Sequence, residues 1–276
     1  MRGKVTRTLL MLPVLVYTAF AAGPFVWTAV MSLRTTEEIY RNHYGLPIPA
    51  HWGKYYTAWT EFGYDLYFRN SAIVSCTGVI LITIVGAMAA FGFARSRYAF
   101  PLREPLFLLI FLSVMFPPQI MILALFQILI KYQLYNTLPG LILVYVATEL
   151  PITIYLLRIF FAQIPQELED AARIDGCTDW SMFWRVMFPI ALPAVATTFI
   201  LNYLYFWNEF LYAIVLISKQ EIRTLPLAVQ FLLGEQYQDV GMLATGLMIA
   251  SLPVLVMYLF LSEWFVKGMT AGAVKG

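Results

Sequence analysis

The chain has 276 residues, of which 61% are hydrophobic and 12% are charged, and its mean hydropathy is +0.73. This apolar share exceeds that of ordinary soluble domains and predicts an integral membrane protein. A formal net charge of +2 without a basic block argues against nucleic-acid binding, and the sequence contains no GxxxxGK[ST] phosphate-binding loop. Two histidines and two cysteines in different settings predict neither a metal site nor a disulfide.

Apolar stretches along the chain are long enough to cross a bilayer. A spanning helix needs about 20 apolar residues, because the hydrocarbon core is ~30 Å thick and each helical residue rises ~1.5 Å. Six stretches qualify, at about residues 9–32, 70–94, 105–129, 138–160, 189–217 and 241–263. The sequence therefore predicts an all-α integral membrane protein with one transmembrane domain over residues 1–276.

The first stretch has features of a cleaved signal peptide. Arg2, Lys4 and Arg7 precede it, and residues 19–21 resemble a cleavage site. The apolar run continues to Leu33, however, and a signal-peptide core is normally ~7–15 residues long. A retained membrane helix is the favoured interpretation.

Lysine and arginine in the loops predict the orientation. With the N-terminus inside, eleven of the 18 basic residues lie in inner segments and seven lie outside. This bias predicts a multi-pass membrane protein with both termini in the cytoplasm. Residues 34–69 and 218–240 are then extracytoplasmic and form either interfacial padding or a docking surface, whereas residues 161–188 form a cytoplasmic loop.

The cytoplasmic loop contains a predicted short helix over residues 165–176. Pro165 suits the first turn, and Gly176 can end the helix by adopting a positive φ. Small and apolar residues share one face at helical spacing: Leu168, Ala171 and Ala172. An interfacial helix usually presents bulkier side chains to lipid. We therefore expect Ala171 and Ala172 to face a groove in another protein.

The same loop resembles the signature of ABC importer permease subunits, which reads Glu-Ala-Ala, three residues, Gly, nine residues, Ile, one residue, Leu-Pro. Here Asp170-Ala171-Ala172 and Gly176 keep that spacing, and Val186 and Phe188-Pro189 follow. Asp for Glu, Val for Ile and Phe for Leu are departures from the pattern. Asp170 is a shorter carboxylate than the family's Glu.

Further matches resemble the carbohydrate branch of these importers, in its maltose-type subfamily. They are Asn70-Ser71, Arg95, Met115-Phe116-Pro117, Trp207-Asn208-Glu209 and the glycine-rich tail over residues 268–276. The resemblance covers the chain from about residue 70 to its end. It implies a type I importer permease fold with six transmembrane helices.

The resemblance also implies partners and site residues. The partners are a second permease subunit, an ATPase dimer that holds ATP and Mg, and an extracytoplasmic solute-binding protein that meets residues 218–240. The implied ATPase-coupling residues are Glu169, Asp170, Ala171, Ala172, Asp175 and Gly176. Those of the ATPase-facing tail are Gly268, Thr270, Gly272 and Lys275. This chain is then a transport subunit with no catalytic residue, metal site or cofactor of its own.

Polar residues at membrane depth are candidates for a translocation pathway: Gln119, Tyr145, Glu149, Asn202 and Asn208. A carboxylate in lipid is costly, so Glu149 is expected to face a bundle interior or a water-filled cavity. A structural bond between Glu149 and a neighbouring helix is an equal alternative. Glu209 is expected to be structural.

Together these observations predict the permease subunit of an ATP-driven importer for a sugar-like solute. One alternative is a secondary transporter driven by an ion gradient, which often shows an internal repeat or paired broken helices. Another is a membrane-embedded enzyme, but no nucleophile-and-base pair or metal-ligand spacing supports it.

Overall fold

The computed structural model describes the backbone of residues 2–95, 101–234 and 239–271, with side chains for residues 11–95, 101–230 and 239–260. In chain order the described helices are α1 (Arg2–Ser32), α2 (Thr36–Arg41), α3 (Gly53–Thr60), α4 (Tyr64–Ala94), α5 (Arg103–Leu112), α6 (Pro118–Lys131), α7 (Leu138–Gln163), α8 (Gln166–Ile174), α9 (Asp179–Met182), α10 (Phe188–Ile190), α11 (Leu192–Asn208), α12 (Leu211–Leu216), α13 (Leu225–Gly234) and α14 (Val240–Ala271). The predicted all-helical class is confirmed. The chain divides into two compact units, residues 1–66 with 228–252 and residues 67–227 with 253–276.

Four of the described helices are long and apolar enough to cross a membrane without interruption. They contain the stretches Met11–Ser32, Tyr64–Ala94, Leu138–Gln163 and Val240–Phe260. Two further candidates are bent pairs, Arg103–Met115 with Pro118–Lys131 at 107° and Asp179–Ile190 with Leu192–Asn208 at 78°. The described residues therefore give the predicted six spans when each bent pair is one span.

The predicted third span, residues 105–129, is not one straight helix. α5 runs into a 3₁₀ turn that ends at Met115, and Phe116 is extended with φ −80° and ψ 123°. Proline disfavours the helical conformation in the residue before it, and Pro117 and Pro118 stand in succession here. Pro118 then opens α6, where its missing N–H costs nothing.

The predicted fifth span, residues 189–217, is also interrupted. α11 ends at Asn208, and α12 begins at Leu211. At the break the Glu209 carboxylate accepts hydrogen bonds from the backbone N–H groups of Tyr212 (2.7 Å) and Ala213 (3.2 Å). Glu209 thus satisfies N–H groups that a helix start leaves without partners. The expectation of a structural Glu209 agrees with this contact.

Within the first unit, α14 packs closely against residues that precede it in the chain. The Thr245 hydroxyl donates to the Ser32 backbone oxygen at 3.0 Å. Gly246 lies so close to the Tyr64 ring that a Cβ there would overlap it. The small residues in this part of α14 therefore serve close helix approach.

Within the second unit, α4, α7, α9, α10 and α11 surround a buried apolar cluster. Phe91 and Phe161 meet at a centroid distance of 5.8 Å, and Phe183 lies 5.5 Å from Phe91. A Cβ at Gly86 would lie 2.9 Å from Thr153 Cγ2, so glycine lets α4 approach α7. This core supports the loop that contains α8.

Candidate functional site

The loop between α7 and α11 contains the predicted short helix, now α8. Its C-terminal cap consists of two backbone hydrogen bonds, from Gly176 N to Arg173 O and from Cys177 N to Ala172 O, both 2.9 Å. Gly176 has φ +84°. This pair of bonds with a left-handed residue is the Schellman arrangement. The positive φ predicted for Gly176 is confirmed.

One face of α8 is buried against its own chain. Glu169 retains 3% of its accessible surface and Ala172 retains 6%. The Glu169 carboxylate forms an ion pair with Arg95 Nε, and Ala172 belongs to the apolar cluster. The expectation that both alanines face a partner groove is therefore wrong for Ala172. Positions i and i+3 lie on the same helix face, so the ion pair at Glu169 turns Ala172 inward.

The opposite face of α8 is exposed. Five of its exposed residues are Leu168, Asp170, Ala171, Ile174 and Asp175, and Gln166 and Glu167 are exposed in the first turn of the helix. Beyond Gly176, Trp180 of α9 is 62% exposed and meets Trp184 edge to face at 5.8 Å. We call these five residues and Trp180 the α8 surface. It combines apolar side chains with two carboxylates.

Arg95, which closes α4, is the buried partner that sequence reasoning missed. Its guanidinium donates to the Ile164 backbone oxygen at 2.8 Å and lies 3.6 Å from Met187 Sδ. The sequence offered a basic residue at the end of an apolar run and several acidic residues in α8. Nothing in that pattern indicated that Glu169 would be the partner, because its neighbours Glu167 and Asp170 have the same charge.

A second ion pair joins α5 to α7. Arg158 donates to both carboxylate oxygens of Glu104, at 2.8 and 2.7 Å, and its guanidinium lies 3.9 Å from the centre of the Phe107 ring. Arg103 bridges the two ion pairs, since it donates to the Arg95 backbone oxygen at 2.8 Å and lies 3.1 Å from Glu104 Oε1. Basic side chains thus join the ends of three helices.

Two predicted pathway residues are buried between α7 and α11. Tyr145 lies against Phe206 at a centroid distance of 5.5 Å. Asn202 Nδ2 donates to Thr153 Oγ1 at 3.0 Å, and both of these side chains are buried. In this conformation Tyr145 and Asn202 connect helices and have no open face for a solute.

The other pathway candidates retain exposed surface. Glu149 is half-buried on α7. Asn208 is exposed, and its Nδ2 donates to the Leu204 backbone oxygen at 2.8 Å. Gln119 is exposed in the first turn of α6. Glu149, Asn208 and Gln119 therefore keep accessible surface, whereas Tyr145 and Asn202 do not.

The Asn70-Ser71 motif anchors the segment that follows α12. Asn70 Nδ2 donates to the backbone oxygens of Glu221 (2.9 Å) and Arg223 (3.0 Å), and Ser71 Oγ accepts from Leu225 N (2.8 Å). Three bonds thus fix residues 221–225 on the start of α4. The motif was recognisable in the sequence, but its partners were not.

The predicted ATPase-facing tail is described only in part. Gly268 and Thr270 lie in the part of α14 for which only the backbone is described. Gly272 and Lys275 lie outside the described residues altogether.

Comparisons with known proteins agree with the motif pattern. The family model described as "Binding-protein-dependent transport system inner membrane component" matches residues 82–271. The diacetylchitobiose uptake system permease protein NgcG of Streptomyces coelicolor is 34% identical over 254 residues, 91% of this chain and 83% of that protein. The arabinooligosaccharides transport system permease protein AraQ of Halalkalibacterium halodurans is 34% identical over 260 residues, 93% of this chain and 92% of that protein. The trehalose transport system permease protein SugB of Mycobacterium tuberculosis is 34% identical over 264 residues, 93% of each chain.

A solved structure has the same fold. It is a chain of a bacterial ABC transporter involved in the import of the acidic polysaccharide alginate, with a TM-score of 0.79 at 21% identity. The match covers 95% of this chain and 96% of that one. A chain of the alginate transporter in complex with an alginate pentasaccharide-bound periplasmic protein matches with a TM-score of 0.66 at 15% identity over 94% of both chains.

Proposed function

The chain belongs to the family of binding-protein-dependent transport system inner membrane components, and from that premise we propose that it imports a sugar or oligosaccharide by alternating access. ATP is hydrolysed on separate ATPase subunits, which hold the Mg, and a second permease subunit completes the pathway. An extracytoplasmic binding protein delivers the solute. Both termini lie in the cytoplasm.

The α8 surface is the observation that carries this proposal. A nine-residue polar helix stands between two apolar helical regions, with one face fixed to its own chain and the other exposed. Exposed Leu168 and Ile174 would gain from burial against a partner, and Asp170 can pair with a partner cation. An ATPase cleft fits this combination of apolar anchors and a carboxylate.

The solute class rests on the relatives and on the pathway residues. NgcG, AraQ and SugB are named for diacetylchitobiose, arabinooligosaccharide and trehalose transport. In this chain, partly exposed Glu149 and exposed Asn208 offer carboxylate and amide groups to the hydroxyls of a sugar. A half-buried polar group with access to solvent is the type of site that a hydrated solute requires inside a membrane protein.

Docking is tested with the same substitution at two exposed alanines. Ala171→Arg places a long cation on the α8 surface, whereas Ala50→Arg places it between α2 and α3. Each variant is co-expressed with the sister permease and the ATPase, and the co-purified ATPase is quantified. We expect Ala171→Arg to lose most of the ATPase and Ala50→Arg to retain it. Full retention in Ala171→Arg would refute docking through α8.

Uptake is tested in proteoliposomes with diacetylchitobiose, arabino-oligosaccharides and trehalose. Transport should require ATP inside the liposomes and should persist when ion gradients are collapsed. Uptake that follows an ion gradient without ATP would favour a secondary transporter, and chemical conversion of the sugar would favour an enzyme.

The pathway is tested with Glu149→Gln, which keeps the shape of the side chain and removes its charge. We expect lower uptake per assembled complex with assembly unchanged. If assembly fails and uptake per remaining complex is unchanged, Glu149 is a structural residue.

A further inference from the structure

The geometry points to a relay of polar contacts from Glu169 to Arg158 that transmits displacement of α8 to α4, α5 and α7. This inference rests on the proposed function, because it assumes that an ATPase moves α8. The residues of the relay act through helix position, so they are positioning residues for transport. The relay consists of Glu169, Arg95, Arg103, Glu104 and Arg158.

The first contact of the relay is the buried ion pair between Glu169 of α8 and Arg95 at the end of α4. A cavity of about 330 Å³ adjoins it, lined by Arg95, Gln166 and Glu169 together with the residues between α7 and α8. The first turn of α8 is therefore not packed continuously against the core on this side. The ion pair is the direct connection there, and a buried pair in a low-dielectric setting resists separation.

The second contact continues through the backbone of Arg95 to α5. The Arg95 carbonyl oxygen accepts from Arg103 at 2.8 Å, and Arg103 opens α5. The Arg95 side chain also donates to the Ile164 carbonyl oxygen, directly after α7. Movement of Glu169 is thereby transmitted to Arg95, which follows α4 and is hydrogen-bonded to α5 and to the residue after α7.

The third contact fixes α5 to α7. Glu104 receives two hydrogen bonds from Arg158, and the Arg158 guanidinium stacks over Phe107. Both bonds come from Arg158 Nη2, and hydrogen bonds between ionised groups are stronger than those between neutral groups. Because α5 is the first half of the bent span, displacement at α8 reaches the bend at Phe116 and Pro117.

The experiment measures whether nucleotide changes the bend in the complete complex. Spin labels at Leu109 of α5 and Tyr132 after α6, both exposed, report the angle between the halves of the span. Cys76 and Cys177 are replaced by serine, and the complex of both permeases and the ATPases is placed in lipid nanodiscs. The label distance distribution is compared without nucleotide and with ATP plus vanadate.

Two variants interrupt the relay, and a third variant serves as a matched control. Glu169→Gln breaks the buried contact, and Glu104→Gln breaks the exposed contact without leaving an unpaired buried charge. Glu167→Gln makes the same change at an exposed position of α8. We expect both relay variants to retain the ATPase and to reduce the nucleotide-dependent shift at least twofold, whereas Glu167→Gln shifts like the unaltered chain. The exchange Arg95→Glu with Glu169→Arg should recover part of the shift.

The outcomes separate the relay from the proposed function. An unaltered chain that binds no ATPase refutes the proposed function, and with it the relay. A complex that binds ATPase but shows an unaltered shift in Glu169→Gln, or no shift in the unaltered chain, overturns the relay alone. Loss of ATPase binding in Glu169→Gln also overturns it, because Glu169 would then hold α8 for docking.

Discussion

Substitution at Gly176 separates backbone conformation from steric contact at the end of α8. Gly176 has φ +84°, and a Cβ added there would meet nothing within 4 Å. Within this chain, the cost of Gly176→Val therefore comes from the left-handed backbone, which costs a residue with a side chain roughly 1–2 kcal/mol. That cost reduces the population of the capped conformation by about 5- to 30-fold relative to competing loop conformations.

The assay is co-purification of the ATPase, together with ATP hydrolysis stimulated by the loaded binding protein. We expect the effect to increase in the order Asn, Ala, Val, because asparagine tolerates positive φ and β-branched valine tolerates it least. Membrane insertion should be equal in all three variants. Wild-type docking and stimulation in Gly176→Val would refute the reasoning, and so would an Asn variant as defective as Val.

Three more predictions concern topology and packing. Maleimide added to intact cells should label cysteine at Lys54 and not at Lys275, and outside labelling of the Lys275 position would contradict the orientation. Thr153→Val should lower the free energy of unfolding of the purified chain by about 1 kcal/mol for the lost interhelical bond, and by roughly 1–3 kcal/mol if Asn202 stays unpaired. Thr153→Ser keeps the hydroxyl and loses only the methyl group beside Gly86, so it should destabilise the chain less than Thr153→Val. Asn70→Asp cannot donate to the oxygens of Glu221 and Arg223, so limited proteolysis should cut residues 217–225 faster, and protection equal to that of the unaltered chain would show that these bonds do not hold the segment.

The sequence predicted the helical class and the number of spans because the length of an apolar run must match the thickness of the hydrocarbon core. It also predicted the cap at Gly176, because helix ends depend on residues that are neighbours in the chain. The bends within the third and fifth spans were harder to predict from the sequence. Pro117 and Pro118 indicated a break but not its angle of 107°, which depends on what α5 and α6 pack against.

The rotation of α8 could not be predicted for a related reason. Leu168, Ala171 and Ala172 look like one small-residue face in sequence, but the buried Glu169 decides which side turns inward. Its partner Arg95 lies more than seventy residues earlier in the chain. Long-range pairing between charges leaves no periodic pattern in a single sequence. The same limit hid the bonds from Asn70 and Asn202.

The contact made by Glu209 has a consequence for which residues that position accepts. Its carboxylate accepts hydrogen bonds from two backbone N–H groups at the start of α12. The property that this position requires is therefore a hydrogen-bond acceptor close to the backbone. Asp, Asn, Ser and Thr supply the same acceptor near a helix N-terminus, whereas Lys and Leu do not. Among homologous permeases that share the break after α11, this site should therefore vary within the helix-capping residues and should not follow the chemistry of the transported solute.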